Sequence, residues 1–318
     1  MLRAVLRQKI GGITLLKNLN AVGLESCYYR KRAVRMAGLI AGVIAAVLFS
    51  LALSLEFEPK ICFFKHDSIL APIAIVATIV MCVAVLVLPF VILPKQKTEQ
   101  GVFPEENRYL NYYTTDLTFV KILRMCVAAV IFAQGIVRTV RIFIGVEALP
   151  VMPVKEHPSY TMLATIAVLF YAVMLLSLFA FGMYFIPEVA DRYPKTNGRL
   201  HLILGSLGVF WAALNIINNY YDKSYGLSSQ YRLMEQLCFV AVMLATVYEI
   251  RYRLDGTKVR TKLATTAAAF VLCFGFNAAR VVMMITVGAV NGTDVCNTFM
   301  LLALSAYYGA RLFFYEED

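Results

Sequence analysis

Gln134, Arg138 and Arg141 are spaced four and three residues apart inside one apolar stretch, and Asn277 and Arg280 three apart inside another. At helical spacing each set falls on a single face. Arg280 is the only Asp, Glu, Lys or Arg between Lys262 and Asp294. Arginine keeps its proton in proteins and presents a planar fork of donors that matches carboxylate or phosphate. The chemistry these residue types support is therefore the holding of an anionic group, with amide side chains to orient it.

Further polar residues fall at a similar depth. The stretch "LHLILGSLGVFWAALNIINNYYD" turns polar toward its end with Asn215, Asn218 and Asn219, and the next apolar stretch opens with Glu235 and Gln236. Arg280 lies ten residues before Val290 and Arg138 eight before Val146. At a rise of 1.5 Å per residue both sit about 12–15 Å below the ends of their helices. The residues expected to meet are Gln134, Arg138, Arg141, Asn215, Asn218, Glu235, Gln236, Asn277 and Arg280. Three arginines against the single acid Glu235 leave a formal excess of two positive charges. One outcome is a basic cavity for a small anionic or zwitterionic ligand. The other is a structural network, with Arg280 paired to Glu235, the remaining arginines reaching head groups and the asparagines bonding helix to helix.

Such residues need elements that carry them into a bilayer, and the composition supplies them. Of 318 residues, 60% are hydrophobic and 16% charged, where soluble domains run at roughly 45–50% and about 25%. An all-α integral membrane protein is implied, because only helices satisfy their own backbone in lipid, at about 20 apolar residues per crossing. Eight spans are expected: Ala33–Leu55, Ile69–Leu93, Ile122–Val146, Tyr160–Ile186, Leu200–Asn219, Leu233–Ile250, Leu263–Val290 and Val295–Phe314. The third, fifth and sixth carry the most polar residues. Residues 1–32 show no continuous apolar signal region. Leu2, Val5, Leu6 and Ile10 recur beside Arg3, Arg7 and Lys9, as in an amphipathic helix on the membrane surface. Residues 33–318 then form a single transmembrane domain, since no loop reaches the ~50 residues of a small domain.

The formal charge of +10 is distributed as orientation signal. With the N-terminus inside, 22 basic residues fall in inner segments and five outside (Lys60, Lys65, Lys155, Lys223, Arg232). That asymmetry places both termini in the cytoplasm of a cell membrane, in the style of a bacterial inner-membrane protein, with anionic lipid head groups at the basic face. It speaks against nucleic acid as a partner. Glu249 is expected to pair with Arg251 at the inner rim.

Catalytic signatures are sparse. His66, His157 and His201 are scattered, the seven cysteines show no CxxC spacing, and "GLSSQY" at Gly226 has no histidine near it. No metal, no cofactor and no enzymatic activity are expected. Cys82, Cys126, Cys238 and Cys273 are expected to act as small buried hydrophobes. Cys62 and Cys296 both fall outside and could pair in an oxidising compartment. "NGT" at Asn291 fits a glycosylation sequon. The small residues of "GLIAGVIAAV" from Gly38 suit close helix packing, within the chain or in a homodimer. "RTVRIFIGV" at Arg138 and "RVVMMITVGAV" at Arg280, together with "MLLSL" and "MLLAL", suggest a four-helix repeat. The functional expectation is a small transporter or ligand-binding membrane component. The alternative is a scaffold or sensor that acts through membrane-protein partners.

Overall fold

The structure, a computed structural model, describes residues 30–58, 63–65, 67–93, 118–144, 160–186, 198–221, 229–255, 259–288 and 292–313. The amphipathic segment, Cys62, most of the loop from Pro94, and the sequon at Asn291 lie outside the described residues.

Among the described residues the fold is an all-α bundle of eight helices. They are α1 (Arg30–Glu56), α2 (Leu70–Ile92), α3 (Thr118–Phe143), α4 (Tyr160–Tyr184), α5 (Gly198–Tyr221), α6 (Gln230–Asp255), α7 (Val259–Thr286) and α8 (Gly292–Phe313). Two short antiparallel strands, Phe57–Glu58 and Phe63–Phe64, follow α1. The first seven helices are long and apolar enough to cross a membrane. This is a multi-pass membrane protein whose outer surface meets lipid. α8 lies outside that set, because Asp294, Asn297, Thr298 and Arg311 make it more polar than expected.

The lipid face is visible as stripes. Ile40, Val43, Val47, Leu51 and Leu55 on α1 are exposed, as are Ile73, Val76, Val80, Val83 and Val87 on α2. Spacings of three and four keep each stripe on one side. In water so much exposed aliphatic surface would be an aggregation liability; in hydrocarbon it is the favourable solvent.

Packing closes six helices into a ring. α3 packs on α4, α4 on α5, α5 on α6, α6 on α7, α7 on α8, and α8 back on α3. Residue contacts fix the directions. Phe181 stacks on Trp211 while Tyr184 approaches Gly205, so α4 and α5 are antiparallel. Trp211 meets Phe239, and Arg232 lies over Tyr220, so α5 and α6 are antiparallel as well. α1 lies beside α7 in the parallel sense, with Gly38 against Ala267, Gly42 against Phe270 and Phe49 against Phe276. α2 also packs on α7, so α7 is buried along most of its length, from Leu263 to Met283.

Three expectations change here. The small face of α1 is occupied by α7 inside the chain, so Gly38 and Gly42 serve internal packing and that stripe is not presented to a second copy. A four-helix repeat does not describe the packing either, since α6 packs on α7 but its counterpart α2 packs on α7 as well and makes no comparable contact with α3. Of the cysteines, Cys82, Cys238 and Cys273 are buried as expected, whereas Cys126 faces outward.

Candidate functional site

The ring brings the polar faces of α3, α5, α6, α7 and α8 together at one end, where α3, α5 and α7 finish and α6 and α8 begin. The centre is Arg280. Its Nε donates to the Tyr231 hydroxyl at 2.7 Å, and its Nη1 donates to Glu235 Oε1 at 3.2 Å and Asn277 Oδ1 at 3.1 Å. Nη2 donates to the Asp294 carboxylate and, at 3.4 Å, to the Asp294 carbonyl. The guanidinium also stands over the rings of Tyr231 and Phe276, at 4.9 and 5.3 Å. Tyr231 in turn donates to Asp294 Oδ1 at 2.7 Å. All of these groups are buried.

Asn297 joins this centre to α3. Its Nδ2 donates to Glu235 Oε1 at 2.9 Å, and its Oδ1 accepts from Arg138 Nη2 at 2.5 Å and Gln134 Nε2 at 3.3 Å. Arg138 Nη1 donates to Asn215 Oδ1 at 3.3 Å. Asn215 and Asn277 each donate backwards to the carbonyl four residues earlier, Trp211 and Cys273. α3 and α5 are not neighbours in the ring, nor are α6 and α8. Bonds from Arg138 to Asn215 and from Asn297 to Glu235 therefore cross its interior.

Of the nine residues expected from the sequence, Gln134, Arg138, Asn215, Glu235, Asn277 and Arg280 meet in this one network. Asn218 is buried one turn beyond Asn215 on the same face of α5. Arg141 and Gln236 do not join: both are half-buried and make none of these bonds. The network also contains Tyr231, Asp294 and Asn297, which the sequence reading left out. Asp294 changes the charge. With Arg138 and Arg280 facing Glu235 and Asp294, the network is balanced, and the expected excess of positive charge is absent within it. The signal lay in the sequence: Asp294 and Asn297 are three apart, and an acid in the first turn of a helix is favoured by the helix dipole.

Several buried polar atoms around the network have no hydrogen-bond partner among the described residues. They are Gln134 Oε1, Arg138 Nε, Glu235 Oε2, and both Oδ1 and Nδ2 of Asn218, with Trp211 Nε1 just below them. Burial of such atoms without partners costs about 1–3 kcal/mol each, and their concentration in one layer is unlike the satisfied interior expected of a purely structural bundle.

Two further layers lie below. Phe181, Trp211 and Phe239 form an aromatic layer from α4, α5 and α6. At the opposite end Glu249 Oε1 accepts from Tyr307 at 2.7 Å and from Arg311 Nη2 at 3.3 Å. Glu249 thus pairs with Arg311 on α8. Arg251, the expected partner, is exposed, because Glu249 points into the ring while a residue two positions on points away.

Among the described residues no group of His, Cys, Asp and Glu is arranged to hold a metal ion. No protein family, curated protein or solved structure matches the chain.

Proposed function

We propose that this protein is a small transporter or ligand-binding membrane component whose site is the polar layer inside the ring at the Arg280 end. The observation that carries this is the set of unpartnered buried atoms at Gln134, Arg138, Asn218 and Glu235, which offers both donors and acceptors in a layer lined by both signs of charge. Of the anionic and zwitterionic ligands that the sequence allows, this balance favours the zwitterion. A cationic group finds Glu235 Oε2, an anionic group finds Arg138 Nε, and Asn218 serves either. The orientation implied by the basic loops puts this end outward. No catalytic role is proposed.

The purified chain, in detergent, would be screened by thermal unfolding against α-amino acids, glycine betaine, acetate and phosphate. At least one zwitterion is expected to raise the Tm, and Asn218→Leu, which replaces the unpartnered amide with an apolar group, is expected to abolish the rise. If none of these solutes shifts the Tm or accumulates in proteoliposomes, the proposal fails.

A second reading is favoured by Arg280 itself, whose three nitrogens are all engaged within the chain. On that basis the network is a structural keystone, and the protein is a scaffold or sensor working through partners. Native-membrane cross-linking would then recover a stoichiometric partner, and solutes would leave the Tm unchanged.

A further inference from the structure

One strongly polar group stands apart from the network and takes part in none of its hydrogen bonds. Arg232, on the first turn of α6, is only 3% exposed, yet its Nη1 and Nη2 have no hydrogen-bond partner among the described residues. Its guanidinium lies 5.5 Å from the centre of the Tyr220 ring. Tyr220 is well exposed, so the stack can fix the plane of the fork but supplies no counter-charge. Arg232 and Glu235 are three residues apart on one face of α6, and no ion pair joins them. Arginine does not escape burial by losing its proton. A buried guanidinium with both terminal nitrogens idle is therefore a group arranged for an anion that the described residues do not provide.

Amide side chains lie at its level. The pairing of Trp211 with Phe239 and of Tyr220 with Arg232 fixes the register of the antiparallel helices α5 and α6. That register brings Asn218 and Asn219 to the level of Arg232. Both are buried, and Asn219 Nδ2 and both polar atoms of Asn218 lack partners among the described residues. Glu235 lies one turn deeper, about 4.5 Å along the helix. Arg232, Glu235 and Phe239 share a stripe, and Glu235 and Phe239 both reach across to other helices of the ring through Asn297 and Trp211.

We infer that Arg232, with the side-chain amides of Asn218 and Asn219, forms an oxyanion-binding subsite at the Arg280 end of the ring, taking the carboxylate or phosphate group of the ligand. This rests on the proposed ring site and refines it by moving the anionic end from Arg138 Nε to the fork of Arg232. The fork of Arg232 holds the anionic end in the outermost turn, while Glu235 Oε2, one turn deeper, is left for the cationic end of a zwitterion. The same oxyanion could belong to a free solute or to the head group of an anionic lipid bound at the end of α5 and α6.

The chain's single tryptophan, Trp211, stands beneath this level and reports on it. Its fluorescence and the Tm would be followed for the native chain, Arg232→Gln and Arg232→Lys. The soluble arm uses glycine, acetate and inorganic phosphate. The lipid arm uses nanodiscs of phosphatidylcholine with and without phosphatidylglycerol. A saturable response to a soluble probe, weakened at least tenfold by Arg232→Gln and only partly kept by Arg232→Lys, supports a solute carboxylate or phosphate. A response confined to phosphatidylglycerol discs and lost in Arg232→Gln supports the lipid source. Without any probe, Arg232→Gln is expected to be as stable as the native chain or more so, because it removes an uncompensated buried charge; a clear fall in Tm would make Arg232 a structural residue and overturn the inference. It is also overturned if Arg232→Gln responds as the native chain does, or if no probe gives a saturable response. Should a solute bind the native chain and Arg232→Gln equally but fail to bind Asn218→Leu, the ring site stands and the assignment to Arg232 alone falls.

Discussion

Arg280 is ion-paired with two buried acids at once, and that sets its cost of removal. Taking one partner from a buried ion pair typically costs about 3–5 kcal/mol, because the other charge is left uncompensated. Arg280→Leu strands both Glu235 and Asp294, so a loss at or above that range is expected in detergent unfolding. Adding Glu235→Gln and Asp294→Asn to Arg280→Leu should recover part of it, since the charges then disappear together. An Arg280→Leu chain that unfolds like the native one would show that the network does not hold α6, α7 and α8. At this scale the sequence was half legible. Arg280, Glu235, Asn277, Arg138 and Gln134 announced themselves because charge and amide groups are costly in hydrocarbon. Asp294 did not, since an acid beside an apolar run reads as a loop boundary until the packing shows it folded beneath its neighbours. Tyr231 reads equally as an interfacial aromatic, and Arg232 as one more loop charge.

Among the elements, the spans were legible and their neighbours were not. Apolar run length places each helix within a few residues of its observed ends, because the thickness of a bilayer imposes that length on any crossing segment. Which helix packs on which depends on where small side chains permit close approach, and "GLIAGVIAAV" fits a partner within the chain as well as one outside it. Gly275 of α7 shows how tight the approach is: a Cβ there would stand 2.6 Å from the Ala45 Cβ on α1, with the backbone of Ala45 and Ala46 at 3.5 Å. The Ala45 Cβ is fixed to its backbone and cannot swing aside as the far end of a flexible side chain can. Gly275→Ala is therefore expected to destabilise by about 1–3 kcal/mol, the usual cost of overpacking. Ala45→Gly in the same chain should restore part of the loss by removing the methyl that clashes, less the ~0.5–1 kcal/mol that a helical glycine costs. Equal Tm values for Gly275→Ala and the native chain would mean that α1 is free to move away from α7.

For the molecule as a whole, the arrangement that matters is a ring whose interior alternates a polar layer at Arg138, Glu235 and Arg280, an aromatic layer at Phe181, Trp211 and Phe239, and a second polar layer at Glu249, Tyr307 and Arg311. A carrier needs two polar levels separated by a barrier, and the aromatic layer supplies one between the two ends. On the proposed reading, the end that receives the ligand depends on orientation, and the distribution of basic loops leads to the expectation that the Arg280 end lies outside. Tyr221 at the Arg280 end and Arg251 at the other are both exposed, so single cysteines at these positions, in a chain with its seven native cysteines replaced by serine or alanine, should show opposite accessibility. A membrane-impermeant maleimide added to intact cells should label Tyr221→Cys and leave Arg251→Cys unlabelled, and vesicles of inverted orientation should exchange the two results. The reverse pattern would put the polar layer of Arg280 and Arg232 at the cytoplasmic face, so that the ligand would have to be drawn from inside the cell and the positive-inside count would have failed on this chain. Labelling of both positions from one side would be incompatible with α6 crossing the membrane at all, because Tyr221 lies beside the start of that helix and Arg251 near its end.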